Sequence, residues 1–373
     1  MRPAYSVLYS FKGRHHGDGA DPIAGLIMVR GTLYGTTKEG GAHCKASGGC
    51  GTVFAITTSG AETVLHSFGG SPDGAGPYAG LIDVKGTLYG TTRRGGGCGG
   101  QHVCGTVFAI TTSGAETVLH SFGGYGDGAY PYAGLINVKG TLYGTTLSGG
   151  PEAYGTAFSI TTSGTETVLH GFSGLGSGDG AFPEAGLINV NGTLYGTTYE
   201  GGARTDNGTV FKVSTSGAGY TELYSFNYGT DGAYPVAGLV NVNGTLYGTT
   251  IQGGANCGGT GGCGTVFKIT ASGKETVLHS FGLGSGDGAY PAADLINVNG
   301  TLYGTTDQGG ANARGTVFSI TTSGTETVLY SFKGGSGDGA YPVARLLNVK
   351  GTLYGTSGAG GANGYGTVFS LSP

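Results

Sequence analysis

The sequence has few charged residues and no long apolar run. Asp, Glu, Lys and Arg make up 11% of its 373 residues, and the formal net charge is −4. A nucleic-acid-binding chain needs a basic stripe to neutralise phosphates, so this composition argues against such a partner. No stretch approaches the roughly 18 consecutive apolar residues of a membrane-spanning helix, so no membrane span is expected.

Helical periodicity and a leader are also missing. No segment sustains a 3.6-residue apolar period, which predicts almost no helix. Met1 is followed almost at once by a strand-like segment from Tyr5 to Phe11, without the apolar core of a signal peptide. What is abundant is glycine, at 84 residues, with 11 prolines. Such a share without a period would indicate disorder, so any repeat decides the fold class.

The repeat is strong. Gly-Thr-Leu-Tyr-Gly-Thr occurs seven times, at intervals of about 50–55 residues, within the range of propeller blades. Each copy is preceded by a segment close to Ala-Gly-Leu-Ile-x-Val and followed by one close to Gly-Thr-Val-Phe. In the first six copies a segment close to Val-Leu-His-Ser-Phe comes next. We name these segments strands A (Ala-Gly-Leu-Ile), B (Gly-Thr-Leu-Tyr), C (Gly-Thr-Val-Phe) and D (Val-Leu-His-Ser-Phe). The copies of strand B begin at Gly31, Gly86, Gly140, Gly192, Gly244, Gly300 and Gly351.

Four short strands repeated seven times predict an all-β, seven-bladed propeller of antiparallel sheets, forming a single domain over residues 1–373. Asn-Gly or Lys-Gly between strands A and B favours a type I′ hairpin. The chain begins with a lone strand D and ends just after a strand C. The N-terminal strand, residues 5–11, should therefore complete the C-terminal blade and close the ring. The glycine after each strand-B Tyr, such as Gly35, is expected to let neighbouring sheets approach closely.

The six cysteines form three Cys-x5-Cys pairs, all in loops between strands B and C. We expect each pair to form a local disulfide, which implies an oxidising compartment and hence export. Metal binding is the alternative, since a histidine stands near two of the pairs, but zinc sites use closer cysteine spacing. The predicted disulfides join Cys44 to Cys50, Cys98 to Cys104 and Cys257 to Cys263.

The unit Gly-Leu-Ile-x-Val-x-Gly-Thr-Leu-Tyr-Gly-Thr-Thr, followed by Gly-Thr-Val-Phe and Glu-Thr-Val-Leu-His-Ser-Phe, resembles the GloVer tandem repeat of bacterial secreted proteins, a kelch-like β-propeller repeat. The resemblance extends over essentially the whole chain. It implies a propeller, export and a role at the cell surface, and it transfers no catalytic residue.

Any site should lie on the face formed by the D–A and B–C loops, which are long and varied. The D–A loops share Asp-Gly-Ala-x-Pro; we expect their seven aspartates to stabilise turns rather than bind metal, and no cofactor is predicted. Strand D carries either His or Tyr at one position, which favours packing or hydrogen bonding. The x position carries aromatic side chains that could stack on sugar rings or pack over the neighbouring blade: Tyr130, Phe182, Tyr234, Tyr290 and Tyr341.

Departures from the sevenfold repeat are the better candidates, because catalysis needs unlike groups together. Strand A carries Gly in five blades but Asp294 and Arg345 in the last two, which predicts a salt bridge at the channel or a ligand-neutralising pair. Tyr199-Glu200 and Asp307 follow strand B and should face the mouth. Charges and histidines gather in the first loops, namely Lys38, Glu39, His43, Arg93, Arg94 and His102.

Three functions remain open from the sequence. The first is a secreted or cell-surface, non-enzymatic propeller that binds carbohydrate, expected to be monomeric. The second is a polysaccharide lyase, using Arg93, Arg94 and histidines on a uronate, or a glycoside hydrolase, using carboxylates such as Glu39 and Glu200. The third is a structural or adhesive module. A deep axial pocket with unlike charged groups would favour an enzyme; seven similar shallow pockets would favour a lectin.

Overall fold

The computed structural model describes residues 3–44, 48–97, 104–123, 125–256, 262–283 and 286–373, with only the backbone of His15. It is a seven-bladed β-propeller of four-stranded antiparallel sheets, as the repeat predicts. From strand A to strand D, the blades comprise Ile27–Val29, Thr32–Thr37, Thr52–Thr57 and Glu62–Ser67 (blade 1); Ile82–Val84, Thr87–Thr92, Thr106–Thr111 and Glu116–Ser121 (blade 2); Ile136–Val138, Thr141–Thr146, Thr156–Thr161 and Glu166–Gly171 (blade 3); Ile188–Val190, Thr193–Thr198, Thr209–Ser214 and Thr221–Ser225 (blade 4); Val240–Val242, Thr245–Thr250, Thr265–Ile269 and Glu275–Ser280 (blade 5); Ile296–Val298, Thr301–Thr306, Thr316–Thr321 and Glu326–Ser331 (blade 6); and Leu347–Val349, Thr352–Ser357, Thr367–Ser372 and Ala4–Ser10 (blade 7).

The hairpins between strands A and B have the predicted geometry. In blade 4, Asn191 and Gly192 both have positive φ, at 53° and 86°, which is what a type I′ turn requires. Lys and Arg adopt the same conformation in other blades, for example Lys85 at 55° and Arg30 at 51°. The hairpin therefore imposes the left-handed conformation even where Asn is absent.

Strand A is shorter than predicted. It starts at the Ile of Ala-Gly-Leu-Ile, so Ala24, Gly25 and Leu26 precede the strand in blade 1. The Ala24 carbonyl instead accepts a hydrogen bond of 3.0 Å from Thr356 Oγ1 in the neighbouring blade. Because the Ala24 carbonyl bonds to the neighbouring blade, this segment lines the channel instead of extending the sheet of its own blade.

The core lies between the blades. A fully buried Phe at the end of each strand D meets the strand-C Phe of the next blade edge-on, as Phe68 meets Phe108 at 5.2 Å between ring centroids. The same contact joins Phe332 to Phe369 and Phe11 to Phe54, and so runs around the ring. Tyr34 packs in the same inter-blade cluster as Phe68 and Phe108, as predicted. Burial of these rings, rather than contacts within a single sheet, holds the blades together.

The glycine after each strand-B Tyr serves its own blade, which corrects the expectation stated above. A Cβ on Gly35 would lie 2.6 Å from Phe54 Cζ and 2.8 Å from Leu26 Cδ2. Phe54 is the strand-C residue directly opposite Gly35, and Leu26 belongs to the same blade. The glycine therefore makes room for the Phe ring that its own blade presents to its neighbour.

The N-terminal strand closes the ring as predicted. Ala4–Ser10 pairs antiparallel with Thr367–Ser372, with Ser6 opposite Ser370, and forms the outer strand of blade 7. Two short 3₁₀ turns, Arg14–His16 and Gly229–Asp231, are the helical elements among the described residues. No helix in the described part of the chain is long and apolar enough to cross a membrane.

The D–A and B–C loops lie together on one face. Two-residue strands from the two loops pair there: Gly19–Ala20 with Glu39–Gly40, Gly180–Ala181 with Glu200–Gly201, Gly288–Ala289 with Gln308–Gly309, and Gly339–Ala340 with Ala359–Gly360. The aspartate of each D–A loop stabilises the turn, as Asp18 does by accepting from the Lys12 and Gly19 amides at 2.8 and 2.6 Å. This confirms the turn-forming role predicted for these carboxylates.

Each D–A aspartate also binds the variable His or Tyr of strand D. These contacts measure 2.7–3.2 Å between the ring nitrogen or hydroxyl and the nearest carboxylate oxygen. The pairs are Tyr9–Asp18, His66–Asp73, His120–Asp127, His170–Asp179, Tyr224–Asp231, His279–Asp287 and Tyr330–Asp338. The strand-D histidines are therefore hydrogen-bonding residues of the outer rim, as their exchange with Tyr predicts.

Candidate functional site

A cavity of about 680 Å³ opens along the propeller axis. Its wall is built from the segments before each strand A, where five blades carry glycine: Gly25, Gly80, Gly134, Gly186 and Gly238. The side chains at its mouth differ from blade to blade. The cavity therefore breaks the sevenfold symmetry where a single ligand could lie.

The most varied position around this cavity is the residue directly after the proline of each D–A loop. It is Tyr in blades 2 and 3, Glu in blade 4 and aliphatic elsewhere: Ile23, Tyr78, Tyr132, Glu184, Val236, Ala292 and Val343. Sequence reasoning missed Tyr78, Tyr132 and Glu184. The available signal was variation at one fixed place in Asp-Gly-Ala-x-Pro-x-Ala.

The mouth has polar side chains on both sides and apolar ones among them. Tyr78, Tyr132 and Glu184 line it from blades 2 to 4, and Asp307 and Arg345 line it from blades 6 and 7. Together with aliphatic side chains from other blades, this mixed lining suits a ligand with both polar and apolar surfaces.

Arg93 is held by tyrosines behind the cavity wall. Its guanidinium lies 5.2–5.8 Å from the ring centroids of Tyr78, Tyr130 and Tyr132, and its Nη1 donates to the Tyr78 hydroxyl at 3.2 Å. Lys38 Nζ pairs with Asp21 at 2.6 Å and lies 5.5 Å from the Tyr78 ring. Both cations therefore fix the orientation of the cavity tyrosines.

Glu184 is the carboxyl group with the most unusual environment in the cavity. Burial raises its pKa to about 7; Arg93 lowers it and Glu200 raises it. Burial also raises the pKa of Asp307, on the opposite wall. A carboxyl group with a pKa near neutrality can both donate and accept a proton.

The predicted salt bridge between Asp294 and Arg345 is not formed. Both residues line the cavity, in adjacent blades, but Asp294 Oδ1 accepts from the Gly238 amide at 2.6 Å in the preceding blade. Arg345 makes no ion pair within the part of the chain that the structure describes, and its side chain is exposed. The Gly238 N–H lies closer to the Asp294 carboxylate than the Arg345 guanidinium does, and it neutralises part of the carboxylate charge.

The aromatic side chains predicted around the mouth do not share one environment. Tyr290 lines the cavity. Its counterparts pack on neighbouring side chains instead: Tyr130 on Arg93, Phe182 on Tyr154, Tyr234 on Tyr199 and Tyr341 on Arg314. Packing on neighbours, the alternative that the sequence left open, describes these four, and Tyr290 also packs against the core between blades 5 and 6.

The remaining candidates do not converge. Arg94 is exposed, and exposed His43 contacts the Ser67 carbonyl through Nδ1 at 3.2 Å. Glu39 lies 3.9 Å from Lys38. Tyr199 and Glu200 flank Glu184 closely enough to interact electrostatically. His102 lies outside the described residues.

One predicted disulfide, Cys44–Cys50, is present, with 5.4 Å between the two Cα atoms. It closes the B–C loop of blade 1. Cys98 and Cys257 lie outside the described residues, so the other two pairings stay predictions.

The sequence profile of one family, the Gloeobacter/Verrucomicrobia repeat, matches residues 2–205, 98–260 and 255–373, which together span nearly the whole chain. The chain belongs to the Gloeobacter/Verrucomicrobia repeat family. The tandem-repeat resemblance is thus confirmed. No sequence of curated function matches this member of the family.

Solved structures share the propeller fold of this Gloeobacter/Verrucomicrobia repeat protein at low identity. The extracellular domain of a candidate one-component system from B. thetaiotaomicron has a TM-score of 0.57 at 14% identity, over 98% of this chain and 42% of that chain. A candidate 6-phosphogluconolactonase from Bacteroides uniformis ATCC 8492 has a TM-score of 0.53 at 12% identity, over 83% of this chain and 85% of that chain. An oligogalacturonate lyase in complex with manganese has a TM-score of 0.51 at 10% identity, over 86% of this chain and 82% of that chain. These likenesses concern the fold alone.

Proposed function

We propose that the chain is an exported propeller that binds one carbohydrate ligand in its axial cavity. The observation that carries this proposal is the cavity itself, which combines Tyr78, Tyr132 and Glu184 with aliphatic side chains. Sugar rings have apolar faces that pack on aromatic rings and hydroxyl groups that bind carboxylates. The volume of about 680 Å³ falls in the range of small-molecule sites.

The charges around the cavity favour an uncharged or amino sugar over a uronate. Glu184, Asp294 and Asp307 line it, against Arg345 as the one basic residue among the described lining side chains. Arg93, the cation suited to a uronate, lies behind the tyrosines. A uronate would place its carboxylate among these acidic groups, which repel it.

Export is supported by the Cys44–Cys50 disulfide, because such bonds persist in oxidising compartments and are rare in the cytosol. Two further cysteine pairs of the same spacing would brace the same face of the propeller.

Glycan-array screening followed by calorimetry tests this function. The panel should contain neutral, amino and uronic oligosaccharides, and we expect binding to members of the first two classes. Tyr132→Ala should weaken affinity about tenfold or more, since it removes an aromatic face worth about 1–3 kcal/mol.

Tyr341→Ala is the matched control, because Tyr341 stands on the same loop face but packs on Arg314. It should bind like wild type. Absence of binding across the panel, or an unchanged affinity of Tyr132→Ala, would refute the proposal and favour a structural module.

A second function, hydrolysis or elimination on a polysaccharide, is favoured by Glu184 alone. Of the two, hydrolysis fits the acidic cavity better, because elimination acts on a uronate. A carboxyl group with a pKa of about 7 suits general acid catalysis at neutral pH. Reducing-sugar release and the absorbance of unsaturated products would detect either reaction. Glu184→Gln should abolish turnover while retaining ligand binding, and Glu200→Gln should retain most of the turnover. Equal turnover in wild type and Glu184→Gln would exclude a catalytic role for Glu184.

A further inference from the structure

The outer rim carries a repeated contact between blades, which we call the rim junction. It consists of the strand-D His or Tyr of one blade, the aspartate of the following D–A loop, and the residue at the start of strand D in the next blade. That third residue is Glu in five junctions: Glu62, Glu116, Glu166, Glu275 and Glu326. In the other two it is Tyr5 or Tyr220.

Two rim junctions bring together three side chains that bind metals. At the junction of blades 1 and 2 these are His66, Asp73 and Glu116; between blades 5 and 6 they are the triad His279, Asp287 and Glu326. In each set, one ligand atom per residue lies within 4.8 Å of the others. An ion could therefore contact all three after small side-chain movements.

The glutamates in these junctions lack a partner. Oε1 of Glu116 and of Glu326 is buried, and no donor in the described part of the chain reaches either atom. Burial, together with the facing Asp73 or Asp287, raises the pKa of both groups to about 7, against the opposing effect of His66 or His279. Two carboxylates that face each other in a half-buried site repel, and either a proton or a cation between them relieves the repulsion.

We propose that these two rim junctions each bind a divalent first-row transition ion such as Zn²⁺. One imidazole nitrogen and two carboxylate oxygens form a donor set that suits zinc, manganese or cobalt, with water completing the coordination. The ion takes the place of the contact of 3.2 Å between His66 Nε2 and Asp73, or of 3.0 Å between His279 Nε2 and Asp287.

The surroundings already position these ligands. The Gly69 amide donates to Asp73 Oδ2 at 2.8 Å, and the Gly288 amide donates to Asp287 Oδ1 at 2.7 Å. Edge-on contact with Phe68, at 4.8 Å between centroids, fixes the His66 ring. Backbone and ring contacts of this kind orient metal ligands. Since the glutamate comes from the next blade, the ion would join blade 1 to blade 2 and blade 5 to blade 6.

The same chain supplies controls for this proposal. The junction of blades 4 and 5 has Tyr224, Asp231 and Glu275, so its glutamate has the same raised pKa and unpartnered oxygen but no histidine. Tyr also stands in place of the histidine at Tyr9 and Tyr330, where it binds the aspartate. His→Tyr is therefore a replacement that the fold already accepts.

Zinc binding to the chelator-treated, oxidised protein tests the proposal. Calorimetry at pH 7.5 should show two more ions per wild-type chain than per His66→Tyr/His279→Tyr double variant. Glu116→Gln/Glu326→Gln should weaken both sites at least tenfold, and Glu275→Gln should leave them unchanged. Zn²⁺ should raise the Tm of wild type but not of the double variants, and Co²⁺ should give a visible d–d spectrum that the double variants lack.

Equal zinc stoichiometry in wild type and the histidine double variant would overturn the proposal, since binding would then reside on other groups such as exposed His43. Retention of both sites in the glutamate double variant would overturn it too, because a proton alone would then satisfy the carboxylates. The glutamate variants decide the matter if the histidine variant fails to fold.

Discussion

At the scale of single residues, two glycines of blade 4 show that glycine is required for two different reasons. Gly192 has φ 86°, and a Cβ there would meet nothing within 4 Å. Gly208 has φ 96°, and a Cβ there would lie 2.6 Å from Pro235 Cδ and 2.5 Å from the Thr198 carbonyl oxygen. The first glycine is needed for its backbone conformation, and the second also for close packing on the next blade.

We expect Gly192→Ala to cost about 1–2 kcal/mol, the cost of the left-handed backbone conformation alone. Gly208→Ala should cost a further ~1–3 kcal/mol for overpacking. Urea unfolding measures both, with unchanged m-values as the check that only stability has moved. Equal midpoints for the two variants would contradict the packing role of Gly208.

The residue scale is also where sequence reasoning was weakest. It found the face of the site and the exceptional Asp294 and Arg345, but not Glu184. Glu184 was missed because the equivalent positions of the other blades carry no carboxylate, so no repeated motif marks it. Its importance arises from burial near Tyr132, one blade before it along the chain, and Arg93, two blades before it.

At the scale of elements, the N-terminal strand Ala4–Ser10 closes the ring of blades. Beyond its ladder with Thr367–Ser372, it is followed by Phe11, whose ring meets Phe54 at 5.1 Å. Tyr5 stacks on Tyr330 of blade 6 at 4.0 Å. The strand thus joins blades 6, 7 and 1.

Removal of residues 1–11 should destabilise the protein by several kcal/mol and leave an unpaired edge prone to association. We expect a lower Tm, and oligomers in size-exclusion chromatography. A peptide of residues 1–11 added in trans should restore the wild-type elution and part of the Tm. A truncated chain that unfolds at the wild-type Tm would show that blade 7 needs no fourth strand.

At the scale of the whole molecule, the rim junctions link stability to pH. Burial raises the pKa of Glu62, Glu166 and Glu275 from 4.5 to about 7. The folded state therefore holds protons between pH 4.5 and 7 that the unfolded state has lost. These groups contribute stability that is fully present below pH 4.5 and is lost as pH rises through 7.

With chelator present, we expect Tm to fall between pH 5 and pH 8. The triple variant Glu62→Gln/Glu166→Gln/Glu275→Gln, which leaves both proposed metal sites intact, should show a smaller fall. An identical pH dependence in wild type and the triple variant would contradict this account. Thermal unfolding followed by circular dichroism at a series of pH values provides the measurement.

A separate effect operates in acid. Burial alone would raise the pKa of Asp179, but hydrogen bonds, chiefly from His170 and also from the Ser173 amide, lower it to about 2. Its contribution is present above pH 4 and is lost as pH falls towards 2. Stability should therefore be greatest in the mildly acidic range.

By itself, the sequence determined the seven blades, their four strands, the type I′ hairpins and the ring closure. Each of these depends on local turn chemistry and alternation, which recur with every repeat. Only the tertiary structure decided which side chains meet across blades: Glu184 with Arg93 at the axis, and His66 with Asp73 and Glu116 at the rim. Those contacts depend on how neighbouring sheets are rotated around the axis, and residues one or two repeats apart in the chain carry no local signal of that rotation.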